Sequence, residues 1–163
     1  MHHEHVCAVN SWRKGPGRCD TIFINTDPFA EGMRGLDIAH VRLFFSFSHD
    51  GVQYPCALVH WFSRMGDSPN DNTGMWVVEP DISDDDGETL TSIVHLNTIV
   101  QAAHLLPVFG HEFVPRTLSF SDTLNELLAS MSTNMLITTR LRSLSNPPLS
   151  IWKAYPLSTS RQS

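Results

Sequence analysis

Histidines His60, His95 and His104 each fall between apolar residues in an extended-looking context. With Asp20 or Asp37, any of them could make a general base and its orienting carboxylate, the pair a small hydrolase or nuclease needs. The rest of such machinery is missing: there is no nucleophile elbow, no Cys/His signature and no phosphate-binding glycine loop. Histidines among apolar strand residues are more often satisfied structural groups. No catalytic residue is assigned on this evidence, and the hydrolase or nuclease stands as the alternative reading.

Two groups have the donor chemistry for a metal. His2, His3, His5 and Cys7 offer imidazole and thiolate, but no second pair follows at zinc-finger spacing. Asp81, Asp84, Asp85, Asp86 and Glu88 resemble half of a calcium loop and lack its central glycine and terminal glutamate. Neither group is read as a metal site, and no cofactor is expected.

A binding surface is the better candidate. Phe44, Tyr54, Trp61 and Trp76 are aromatics of the kind that small β-barrels present to peptides or modified lysines through stacking and cation–π attraction. The competing reading puts both indoles in the interior. Trp61 should face away from His60 and Phe62, because side chains alternate along a strand. Arg13, Lys14 and Arg18 cluster around Gly15-Pro16-Gly17 and are read either as a solvated loop or as a basic rim. A protein partner fits this set. DNA contact through the three basic residues is an option that the net charge of -6 does not support.

The elements that must position these residues centre on Val41 to Arg64. Val41, Leu43, Phe45 and Phe47 alternate with Arg42, Phe44, Ser46 and Ser48. After His49-Asp50-Gly51, residues Val52, Tyr54, Cys56, Leu58, His60 and Phe62 alternate with Gln53, Pro55, Ala57, Val59, Trp61 and Ser63. Such alternation around an Asp-Gly pair predicts a hairpin. Further strands are expected at Thr21–Asn25, Met75–Val78 and Thr91–Leu96, with Asp81 to Thr89 as an acidic turn. Asn97 to Val100 reads as a single helical turn before an extended stretch from Gln101 to Phe109. An amphipathic helix from Asn97 to Leu106 is the competing assignment.

A chain of 163 residues, 41% hydrophobic with nine Phe, is long enough for one buried core. No run approaches the roughly 18 to 20 apolar residues of a membrane span. The start is not a signal peptide, so the chain is expected inside the cell and not secreted. Three widely spaced cysteines suit a reducing compartment. The expected fold is mostly β, a small SH3-like or BAH-like barrel over residues 21–120. Residues 1–20 are read as a flexible lead-in, and 121–163 as a short helix followed by a disordered or non-native tail.

Four blocks together carry a family likeness: GMRGLDIAHVRLFFSF (Gly32 to Phe47), YPCALVHWFSR (Tyr54 to Arg64), TGMWVVEPD (Thr73 to Asp81) and SIVHLNTIVQAAHLLPVFG (Ser92 to Gly110). They resemble the C-terminal region of fungal Plavaka-type transposases, of the Kyakuja-Dileera-Zisupton group of DNA transposons, over roughly Trp12 to Asp122. The metal-dependent nuclease core of that family lies upstream of this region. The resemblance therefore implies a non-catalytic accessory module that contacts another protein, the rest of a transposase, or DNA, and a nuclear location if it acts with a transposase. From Ala129 the chain departs from the family pattern, which a shift of reading frame near Asn125 to Leu128 would explain. An inert transposon remnant is the corresponding alternative.

Overall fold

The computed structural model describes residues 4–15, 17–108 and 135–137. In chain order the strands are β1 (Ala8–Val9), β2 (Arg18–Cys19), β3 (Thr21–Asn25), β4 (Leu36–His49), β5 (Val52–Arg64), β6 (Trp76–Pro80), β7 (Thr91–His95), β8 (Ile99–Ala103), β9 (Leu105–Pro107) and β10 (Met135–Ile137). Single 3-10 turns at Gly32–Gly35 and Leu96–Thr98 are the helical elements among the described residues. The chain is mostly β. None of its helices there is long and apolar enough to cross a membrane.

The hairpin β4–β5 is the spine. His49 pairs with Val52, and both loop residues have positive φ, Asp50 at 50° and Gly51 at 76°. Those are the dihedrals of a type I′ turn, whose twist matches the strands it joins, and the Asp-Gly pair tolerates them. One expectation fails within the hairpin. Val41 pairs with Val59 but Leu43 pairs with Leu58, so Arg42 is an extra residue in a bulge. The bulge reverses facing: Val41 lies on one side of the sheet, Leu43, Phe45 and Phe47 on the other.

Around this spine the strands run β8-β3-β4-β5-β6-β10-β9, while β7 also pairs with β5. Apolar residues fill both faces. Phe23, Ile38, Phe62, Trp76, Val78, Leu105 and Ile137 form one cluster; Ile22, Ile24, Ala39, Val41, Ala57, Val59, Leu96 and Ile99 form the other. This explains why TIFIN reads as a continuous apolar run, since a strand covered on both sides has no polar face to alternate. Each fully buried Ile or Phe contributes about 1.5–3 kcal/mol relative to exposure.

A closed barrel is not what the ladders form. The two ends of the sheet, β8 and β9, are consecutive stretches of chain with only His104 between them, and no ladder joins them among the described residues. His104 thus links the ends through the backbone, and the sheet stays open in hydrogen-bonding terms. β8 also replaces the competing amphipathic helix: pairing of Thr21–Phe23 with Gln101–Ala103 holds that segment extended.

Both flanks contribute strands. Within the expected flexible lead-in, β1 and β2 form a two-stranded ribbon, and the Asp20 carboxylate accepts the Cys7 amide at 2.8 Å. The stretch read as a non-native tail supplies β10, which pairs with both β6 and β9, and Ile137 is fully buried. The expected helix over Thr123 to Ala129 lies outside the described residues.

Candidate functional site

Trp61 stands where β5 changes neighbours. Phe62 pairs with Pro80 and His60 with Thr91, so everything from Asp81 to Leu90 stands opposite the single residue Trp61. β6 and β7 are therefore one strand position along β5, interrupted by an acidic excursion. Its root is pinned: the Trp61 amide donates to the Leu90 carbonyl at 3.0 Å, the Asp81 amide to the Trp61 carbonyl at 2.9 Å, and the Leu90 amide to the Asp81 carbonyl at 2.7 Å. Inside the excursion the Glu88 amide donates to the Asp86 carboxylate, and this holds the Asp86 carboxyl below its ordinary value.

Beside that root lies a cleft of about 780 Å³. Trp61, Leu90, Phe62 and Trp76 give it apolar wall; Asp37, Asp67, Asp81, Arg34, Arg64, Thr26 and Ser63 give it polar lining. Arg64 is already committed. One guanidinium nitrogen donates to the Met33 carbonyl at 2.9 Å, the other to Asp37 at 3.3 Å, and the group lies 5.7 Å from the Trp76 ring centre. Asp37 also accepts the Thr26 hydroxyl at 2.8 Å. Asp67 and Asp81 make no ion pair among the described residues, and Asp84, Asp85, Asp86 and Glu88 are exposed on the adjoining excursion. The cleft thus combines a half-buried indole with three carboxylates, Asp37, Asp67 and Asp81, against two guanidinium groups, Arg34 and the committed Arg64, an excess of negative charge beside an aromatic ring that favours a cation.

The aromatics singled out by sequence do not form one surface. Trp61 faces as expected: it packs with Val59 and Ala57, while Phe62 joins the opposite cluster. Trp76 is 7% exposed and belongs to the core cluster beneath Arg64, while also lining the cleft. Phe44 packs against the second cluster. Tyr54 stacks on Phe47 near the hairpin tip, centroids 5.3 Å apart, away from the cleft. Arg13 and Arg18 lie 5.5 and 5.0 Å from the Trp12 ring centre, and Arg18 is paired with Asp20 at 2.7 Å. Arg13 and Lys14 are exposed beside it.

The histidines are scattered along the sheet. His40 is 3% exposed, lies 3.4 Å from the Thr21 hydroxyl, and faces His60 across β4–β5. Burial, then the charge of Arg42, lowers the His60 pKa from its ordinary value. His95 pairs with Cys56 and accepts the Asn97 amide through Nδ1. His104 is exposed between β8 and β9, and none of the described histidines lines the cleft. Asp20 and Asp37 are engaged by Arg18 and Arg64 instead. Among the described residues no three metal-binding side chains converge.

Sequence reasoning missed Asp81, Leu90 and Asp67 as cleft residues. The acidic run was visible; that both of its ends meet at Trp61 depends on a register only the folded sheet reveals. No protein-family model, no curated protein and no solved structure matches this chain. Function is therefore argued from the cleft.

Proposed function

We propose that this chain is a non-catalytic, protein-contacting module that holds a cationic side chain of a basic peptide segment in the Trp61 cleft. The observation that carries the reading is a single cleft lined by the Trp61 indole and the carboxylates of Asp67 and Asp81, with Arg64 diverted to Asp37 and the Met33 carbonyl. The acidic excursion and the net charge of -6 draw basic partners toward it and repel phosphate. In this reading the sheet, with its ends joined through the backbone at His104, is an SH3-like or BAH-like barrel. Its likeness to the C-terminal region of Plavaka-type transposases makes it an accessory module, acting in the nucleus with a transposase or a protein derived from one.

The test is a binding panel on the full chain: a basic peptide with and without a trimethylated lysine, an acidic peptide, and duplex DNA. Salt-sensitive binding of the basic peptides is expected. It should weaken about tenfold in Trp61→Ala, given about 1–2 kcal/mol for a cation over a partly desolvated ring. Asp81→Asn, which leaves the indole packing intact, should weaken it as well. Binding of the DNA alone, unaffected by either substitution, would refute the reading and move the contact to Arg13, Lys14 and Arg18.

A further inference from the structure

Arg64 shows how the residues of this cleft hold a cation that belongs to the chain itself. Its guanidinium lies 5.7 Å from the Trp76 ring centre and donates to the Asp37 carboxylate at 3.3 Å and to the Met33 carbonyl at 2.9 Å. An indole face, a carboxylate and a carbonyl oxygen together serve one planar cation, a set that suits a guanidinium better than a compact ammonium. Trp76 and Phe62 are both buried, so among the aromatic lining residues Trp61 is the one left partly open to an occupant.

A single open ring is too little for the aromatic cage that recognises a trimethylated lysine, a cation with no N–H to donate. In place of further rings the cleft offers hydrogen-bond acceptors: Asp67, Asp81 and Ser63 line it together with Trp61. Its charges are also unequal. The three carboxylates of Asp37, Asp67 and Asp81 face the two guanidinium groups of Arg34 and Arg64, which leaves one negative charge for one added cation to cancel.

We infer, resting on the reading of this cleft as a cation site, that its occupant is one arginine side chain, taken in preference to lysine and to trimethyllysine. A guanidinium stacked on Trp61 keeps its in-plane N–H groups free for the carboxylates, which accept them in parallel pairs. A lysine ammonium brings the same charge as a strongly hydrated point and forfeits the planar stack. Trimethylation removes every donor and leaves the carboxylates nothing to accept.

The test is a set of peptides identical except at one central position, which carries arginine, lysine, trimethyllysine or citrulline, each titrated into the full chain. Citrulline keeps the planar shape and loses the charge. The arginine peptide should bind tightest and lysine next. Trimethyllysine and citrulline should be weaker than arginine by about tenfold or more, the scale of one lost charge-assisted hydrogen bond. Replacing both acceptors (Asp67→Asn with Asp81→Asn), with circular dichroism confirming the fold, should narrow the gap between arginine and trimethyllysine. Equal binding of arginine and lysine would overturn the inference, and so would trimethyllysine binding as tightly as arginine or a gap unmoved by the double substitution. In each of those cases basic peptides still bind and the cation cleft stands. Failure of both the arginine and the lysine peptide to bind would overturn the cleft reading and the arginine preference together.

Discussion

The Trp61 amide donates to the Leu90 carbonyl at 3.0 Å while Asp81, at the other end of the same acidic excursion, donates its amide to the Trp61 carbonyl. A single residue of β5 thereby gathers both ends of a loop, and its indole lines the same cleft as the Asp81 carboxylate. The geometry of the cleft follows from that closure, and the expectations below follow from the packing around it.

The cleft wall formed by Thr26, Arg34 and Asp37 depends on Gly35. A Cβ there would fall inside van der Waals distance of the Asp27 and Ala30 carbonyl oxygens, both backbone atoms. The Thr26 and Asp27 amides both donate to the Gly35 carbonyl, at 3.1 and 3.2 Å, so the loop has little room to yield. Gly35→Ala should destabilise the chain by about 1–3 kcal/mol, read as a lower urea midpoint at unchanged slope.

Ile137 tests whether the late strand belongs to the fold. It is fully buried and pairs with Trp76 on one side and Leu105 on the other. Ile137→Ala should lower stability by about 2–5 kcal/mol in chemical denaturation. An unchanged midpoint would mean that Met135–Ile137 is not part of the core and would restore the reading of a non-native tail.

His60 should make the fold acid-sensitive. Its folded pKa is lowered from 6.5 by burial and by Arg42, so the unfolded chain takes up the proton at higher pH than the folded one. This contribution to stability is complete above pH 6.5 and declines as the pH falls below 6.5 toward the folded pKa, because ∂ΔG/∂pH is positive wherever the unfolded state binds more protons. Urea midpoints measured from about pH 7.5 to 5 should fall with pH, and less steeply in His60→Gln. Equal slopes for the two proteins would exclude His60 as the source.

Arg64 should matter for shape more than for charge. Its fork spans the Met33 carbonyl and Asp37 over the Trp76 ring. Arg64→Lys keeps the charge but loses the second contact and the planar stacking, and should cost about 1–2 kcal/mol in denaturation. Peptide affinity should drop with it as the cleft wall loosens.

Much of this architecture was legible in the chain. The Asp50-Gly51 turn, the strands at Thr21–Asn25 and Thr91–His95, and the lone turn at Leu96–Thr98 all carry local signals of dihedral preference and period. The bulge at Arg42 was not legible, because one inserted residue leaves the composition and most of the alternation unchanged while reversing the facing of Val41. Whether Trp61 and Trp76 face solvent or core was left open by the sequence, because periodicity cannot tell a covered face from an open one. The pairing of Asp81 and Leu90 at Trp61 was hidden for a related reason: a hairpin loop and an in-line excursion have the same sequence. The three residues of β10 are too short a run, inside a Ser- and Thr-rich stretch, to leave a period to read.

The most direct measurement is the chemical shift of the Trp61 indole N–H during titration of the isotope-labelled full chain with a lysine-rich peptide. The expected result is a saturable shift at Trp61 that needs a higher peptide concentration in Asp81→Asn, with the Trp12 indole unmoved. A Trp61 signal that stays fixed while the peptide binds, or a shift confined to Trp12 among its arginines, would contradict the assignment of this cleft.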